Sequence, residues 1–167
     1  MAEVAIGERQ FAARPVDESL ILDLHRRICG DLVPAIAGRW RRREVQVGDH
    51  RAPPAWRVPM LMRAYVADLA ARATHASAGV DELLIDTLVF AEGQLLHIHP
   101  FEDFNGRVTR LFLIELLYRL QLPIVDPATD QGEETARYFA ALRAYDKRDS
   151  VPLAAFWRER FEKEAQA

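Results

Sequence analysis

The chain has 167 residues, half of them hydrophobic, and a formal net charge of -3. That length carries one ordinary domain with a real core, and that charge excludes a general polyanion binder and an acidic disordered chain. The lone cysteine, Cys29, excludes an internal disulfide and a thiolate zinc site, and no uncharged stretch approaches the roughly 18 residues a membrane span needs.

The first residues hold acids among short apolar side chains and lack the apolar core of a signal peptide, so a cytoplasmic protein with no membrane partner is expected. Leu20, Ile21, Leu24 and Ile28 then recur at helical spacing behind a cap at Asp17 or Ser19, and Gly30 offers a stop. Residues 31–60 hold two glycines and four prolines, with a short Val45/Val47 alternation before Gly48-Asp49. They read as an irregular excursion with a small hairpin at most. Helical spacing returns at about 60–73, from Met60 and Leu61 through Leu69, and again at about 80–96. In the second of these, Val80, Leu83, Leu84, Thr87, Leu88, Ala91 and Leu95 form the broad face of a buried central helix.

Residues 108–122 are apolar on nearly every side and predict a helix enclosed by others, stopped by Pro123. A loop over 123–134 leads to a helix bearing Tyr138, Ala141, Leu142 and Tyr145, and Pro152 sits in the first turn of a last one. The expected architecture is all-α: a single domain over 1–167, with one buried central helix and a hairpin at about 44–54.

The chemistry concentrates in "HIHPFEDFNGRVTR", residues 97–110. Asn105-Gly106 is a turn signal ahead of a strongly helical run, so residues 103–106 predict a loop-to-helix junction whose N–H groups are free to meet an anion. Arg107 and Arg110, three apart, are expected on one side of the first turn, where two guanidinium forks suit a polyphosphate. Asp103 beside such a nest makes sense if a divalent cation lies between, and Mg²⁺ is commonly held by one or two carboxylates plus phosphates. His99 is the candidate general base. These parts together point to phosphoryl or nucleotidyl transfer to a hydroxyl.

His99, Phe101, Asp103, Asn105, Gly106, Arg107 and Arg110 resemble the Fic-family signature His-x-Phe-x-(Asp/Glu)-Gly-Asn-Gly-Arg-x-x-Arg. Residues 37–59 are similar to that family's flap region, and 138–156 to its C-terminal helices. The resemblance implies a Fic-type helical fold and a protein adenylyltransferase that moves AMP from ATP to a Ser, Thr or Tyr hydroxyl of a target protein. It gives His99 the role of base, Asp103 that of Mg²⁺ ligand, and Phe104, Asn105, Gly106, Arg107 and Arg110 the phosphates. It makes Phe101 a core anchor of the loop. Val45, Gln46, Val47 and Gly48 of the flap would pair with the target backbone as an added strand. Tyr138 or Tyr145 would face the adenine. Phe104 departs from the pattern, standing where the family has glycine; the expectation is an ordinary backbone conformation there, with only its N–H engaged.

Other readings compete. Relatives of this fold transfer phosphate or phosphocholine, but Asn105-Gly106-Arg107 is the form seen in AMP transfer. A catalytically silent binding module is one alternative, and a metal-dependent hydrolase using a His97/His99 pair is another. The run "RWRRR" at 39–43 reads as a solvated face rather than a nucleic-acid surface. "TDQGEE" from Thr129 is a poor match to the family's inhibitory motif and reads as loop, so restraint is assigned to a separate small antitoxin-like partner.

Overall fold

A computed structural model describes residue 6 and residues 9–74, 80–126 and 132–166. Six helices and one small hairpin are described: α1 (Glu18–Cys29), β1 (Gln46–Val47), β2 (His50–Arg51), α2 (Val58–Ala73), α3 (Glu82–Ile98), α4 (Asn105–Arg119), α5 (Glu133–Asp146) and α6 (Val151–Ala165). A turn of 3₁₀ helix, Ala55–Arg57, leads into α2.

The helices start where the chain supplies caps. The Asp17 carboxylate accepts the Leu20 N–H at 3.0 Å, and the Asp81 carboxylate accepts the Leu84 N–H at 2.8 Å. Pro152 lies in the first turn of α6, where its missing N–H costs nothing. Val80 and Leu83, expected on the core face, are exposed, and Met60 likewise; α2 buries Val58, Met62, Tyr65, Val66 and Leu69 instead. The expected loop over 123–134 also ends early, since Glu133 and Glu134 open α5 and Glu134 pairs with Lys163 at 3.0 Å. Thr129 lies outside the described residues.

α3 is the central helix, packed by α2, α4, α5 and α6. Its buried acid, Glu92, is matched by Arg160 of α6 at 3.1 Å and by the Tyr138 hydroxyl of α5 at 2.6 Å. Gly93 gives a close approach to α5: a Cβ there would stand 2.7 Å from the Tyr145 ring. Its cost in a helix interior, about 1 kcal/mol relative to Ala, is offset by the ring that covers it. The end of α5 is thereby drawn against the end of α3.

β1 and β2 pair antiparallel, Gln46 opposite Arg51 and Val47 opposite His50. The excursion that carries them is fixed by Arg41, an arginine only 2% exposed. Its Nε donates to the His99 carbonyl at 2.7 Å, Nη2 to the Ile98 carbonyl at 3.3 Å and to Pro53, and Nη1 to the Arg43 carbonyl at 3.0 Å. Arg41 N–H adds a bond to the Pro100 carbonyl at 2.8 Å. So the basic run is not a uniformly solvated face: Arg41 is buried, and Trp40 packs on Phe101 with ring centroids 5.2 Å apart.

Removing the guanidinium strands several buried carbonyls. Arg41→Ala is therefore expected to lower stability by about 2–4 kcal/mol, with little recovery in Arg41→Lys because an ammonium cannot reach both segments as a planar fork; urea unfolding of the three proteins checks it.

Candidate active site

α3 terminates at His99, which adopts a left-handed conformation (φ 50, ψ 63) while its N–H still bonds the Leu95 carbonyl at 3.1 Å. The chain then turns into the core at Phe101, which is fully buried and stacked on His25, ring centroids 3.8 Å apart and planes 2° off parallel. His25 Nδ1 accepts the Gly38 N–H at 2.9 Å, so its proton sits on Nε2, which faces the Asp103 carbonyl at 3.3 Å. Burial holds the His25 pKa below the ordinary histidine value, keeping it the neutral clamp this arrangement needs.

Asn105 closes the loop. Its Oδ1 accepts the Phe101 N–H at 2.9 Å and its Nδ2 donates to the Phe101 carbonyl at 3.0 Å. The Asn105 side chain is thus spent on the loop, leaving its backbone N–H as the group that can meet a phosphate. Phe104 also departs from expectation: it is left-handed (φ 64, ψ 10), and its N–H is taken by the Asp103 carboxylate at 2.6 Å. Such a conformation costs a non-glycine residue about 1–2 kcal/mol. The Phe104 ring recovers part of this by lying under the Arg107 guanidinium at 4.9 Å and edge-on to His25 at 6.3 Å.

α4 starts at Asn105 with no side chain capping it. Its first N–H groups have no partner inside the helix, and the helix dipole adds positive potential there. Gly106 sits at this end, and three cavities meet on it. A polar cavity of about 570 Å³ is lined by Val45, Gln46, Val47, His99, Asp103 and Arg107 among others. An apolar one of about 220 Å³ runs past Leu96, His99, Phe139 and Leu142. A third, about 180 Å³, holds Arg110, Tyr138 and Phe139. A Cβ on Gly106 would touch nothing in the protein and would instead fill the junction of these cavities.

His99 belongs to both larger cavities. Its Nδ1 faces the Leu96 carbonyl at 3.4 Å, which assigns the proton there and leaves the lone pair on Nε2. Desolvation is the main cause that pushes its pKa below the usual histidine value, with the nearby His50 and Arg41 adding to it. The imidazole is therefore neutral, as a proton acceptor must be. Arg107 and Arg110, expected side by side, are divided between the polar and the third cavity, one on each side of Gly106. Neither has a hydrogen bond or ion pair among the described residues.

Of the flap residues, Val45, Gln46 and Val47 face the polar cavity, while Gly48 forms the turn (φ 57). Tyr138 lines the third cavity, its hydroxyl bound to Glu92. Tyr145 lies outside all three, on Gly93; Phe139, next to Tyr138, and Leu142, one turn before Tyr145, line two of them. His97 does not join His99 in a metal pair: its Nδ1 faces Asp146 at 2.8 Å. Arg41, His25 and Phe139 carried no signal in sequence, since an arginine in a basic run, an isolated histidine and a helical aromatic each have commoner explanations.

Residues 15–117 match the model of the Fic/DOC family. Protein adenylyltransferase Fic of Drosophila persimilis and that of Drosophila melanogaster are each 32% identical to the chain over 136 residues, which is 81% of this chain and 25% and 26% of theirs. The chain spans about a quarter of the length of these curated relatives. Among solved structures, Fic-1 (residues 134–508) from C. elegans matches with a TM-score of 0.80 at 24% identity, covering 99% of this chain and 48% of that one. A Fic domain containing signaling protein from Bacteroides thetaiotaomicron matches with a TM-score of 0.75 at 22% identity, covering 98% and 65%. The signature loop gathered at one groove and the family pattern running through most of the helices agree: this chain belongs to the Fic/DOC family.

Proposed function

We propose that this groove transfers AMP from ATP to a hydroxyl side chain of a protein bound along the flap. One observation carries the reading: a neutral His99 with an open Nε2 shares a cavity with Arg107 and an uncapped helix N-terminus, Arg110 lies just beyond Gly106, and neither arginine has a hydrogen bond or ion pair among the described residues. The names of the curated relatives, protein adenylyltransferase, support the same chemistry.

In this reading the triphosphate lies over Gly106, where the missing Cβ leaves room, between Arg107 on one side and Arg110 on the other. The base takes the apolar cavity, against the half-exposed Phe139 and Leu142. His99 Nε2 accepts the proton of the target hydroxyl as its oxygen bonds to the α-phosphorus, and the bond from that phosphorus to the β-phosphate oxygen breaks, releasing pyrophosphate. The Asp103 carboxylate is exposed in the polar cavity with one oxygen free of the Phe104 N–H, a hard-oxygen donor set that fits Mg²⁺. Asp103 would hold that ion, which supplies charge neutralisation at the phosphates. The unpaired outer edge of β1 suits an extended target segment, which would present its hydroxyl toward His99. Restraint by a small antitoxin-like partner is compatible with an Arg110 that no described acid reaches.

Incubation with α-labelled and then γ-labelled ATP in a lysate tests the reaction. Protein label is expected only from the α position, and His99→Ala should lose it by at least about a hundredfold. Label from the γ position would replace this reading with phosphate transfer. The pH profile offers a second check. Because the base must be neutral and burial lowers its pKa, activity should fall on the acid side only below the ordinary histidine value of about 6.5; an acid limb above that value would point to another base.

Phe104→Gly supplies a third. The strain relieved, about 1–2 kcal/mol, and the ring contact with Arg107 lost, about 0.5–1 kcal/mol, nearly cancel. Stability should shift by about 1 kcal/mol or less and turnover by less than about tenfold, read from thermal unfolding and labelling rate. A gain of several orders of magnitude would show that Phe104 suppresses transfer.

A further inference from the structure

Outside the loop that carries His99, three ligand-type side chains from three elements converge. Asp146 ends α5, His97 lies on the last turn of α3, and His50 is the first residue of β2. One Asp146 oxygen stands 2.8 Å from His97 Nδ1 and the other 3.1 Å from His50 Nδ1. His50 Nε2 stands 2.9 Å from the His97 carbonyl, an acceptor only, so that nitrogen carries a proton. With that proton on Nε2, Nδ1 is the ring nitrogen His50 directs at the carboxylate oxygen. At 3.1 Å a proton or a metal cation bridges that nitrogen and the carboxylate oxygen.

We propose that His50, His97 and Asp146 form a binding site for a divalent transition-metal ion, zinc-like in its ligand preference, which pins the flap to the helical body. The ligand atoms lie within 4.8 Å of one another. Small rotations of partly exposed side chains bring them to the roughly 2.0–2.2 Å that zinc requires. Two imidazoles and one carboxylate favour such an ion over Mg²⁺ or Ca²⁺, which prefer oxygen alone. The carbonyl of His97 holds the His50 ring in the tautomer that offers Nδ1, the outer-shell arrangement typical of metal-binding histidines. Three protein ligands leave a position for water in the cavity that the same three residues line.

The consequence is mechanical. β1 and β2 are joined by their short ladder and turn; Arg41 holds the hairpin's base, and His50 ties β2 itself to the ends of α3 and α5. Seating an ion there fixes β2, and with it the β1 edge that lines the polar cavity. Metal binding needs no ATP, so it is measured apart from the transfer reading and stands or falls separately.

The test is Co²⁺ titration of the metal-free chain, followed by visible absorption, with Zn²⁺ as competitor. A single equivalent should bind with the spectrum of a low-coordinate site, yield to Zn²⁺ and resist excess Mg²⁺. His50→Ala and Asp146→Asn should each weaken binding by about tenfold or more, while His99→Ala and Asp103→Asn leave it unchanged. Circular dichroism and thermal unfolding without metal establish that the variants fold, and His97→Gln serves as a further ligand variant. Hydrogen exchange of residues 45–52 should slow on Zn²⁺ addition in the wild-type chain and not in His50→Ala. Absence of binding would leave a proton as the bridge and overturn the proposal. Binding that survives His50→Ala, or that His99→Ala abolishes, would overturn it too.

Discussion

The candidate site rests on the grip of one buried guanidinium. Arg41 reaches across from the excursion to the carbonyls of Ile98 and His99, where α3 stops, and on to Pro53 and Arg43 at the base of the flap. Those carbonyls lose their helical donors because the chain turns left-handed at His99. A water molecule could satisfy them but would not join them to anything. A five-donor fork satisfies them and ties His99 to the hairpin that flanks it. Asn105 and His25 finish the work from inside the loop, the first by bridging both polar groups of Phe101, the second by stacking on its ring. Two left-handed non-glycine residues, His99 and Phe104, persist because these contacts over-determine the path between them.

That division of labour leaves the outward-facing groups uncommitted. Asn105 faces the core and serves the loop; Asp103 gives one oxygen to Phe104 N–H and keeps the other; Arg107 rests on an aromatic face rather than on an acid. Arg119, Arg158 and Arg160, by contrast, are paired with Glu115, Glu82 and Glu92. A positive helix end flanked by unpaired guanidinium groups carries potential that the fold itself does not neutralise. The proposed polyanion binding at this spot rests on what the fold withholds as much as on what it supplies.

Much of this was legible in sequence because it is local. The loop-to-helix junction announces itself through Asn-Gly before an apolar run, the six helices through spacing and caps, and the hairpin through Val-x-Val before Gly-Asp. What could not be read depends on contacts across the chain. Nothing in "RWRRR" separates the arginine that is buried from those that are solvated, because the distinction lies in which one meets the end of α3. The pattern at 99–110 likewise cannot tell that Asn105 points inward, or that its two arginines fall on opposite sides of Gly106. At position 104 the family's glycine hinted at positive φ, but the Phe there pointed to ordinary backbone; the left-handed turn is imposed by the need to bring Phe101 into the core and return to start α4. The shift from Tyr145 to Phe139 as a cleft residue has a plainer cause, the absent side chain of Gly93, which lets Tyr145 lie flat on α3 instead.

The flap shows how the two halves of the site are coupled. Its β1 edge belongs to the polar cavity, whereas β2 is tied through His50 to the ends of α3 and α5. A two-stranded ladder of this length has little stability of its own, so its position is set by whatever holds its ends. Arg41 holds the base through Pro53, and the His50 cluster holds the far strand. Both anchors converge on the last turn of α3, within a few residues of His99. A displacement of the hairpin cannot then leave the histidine's surroundings unchanged: the groups proposed to position a target segment and the histidine proposed to take its proton hang from the same helix end.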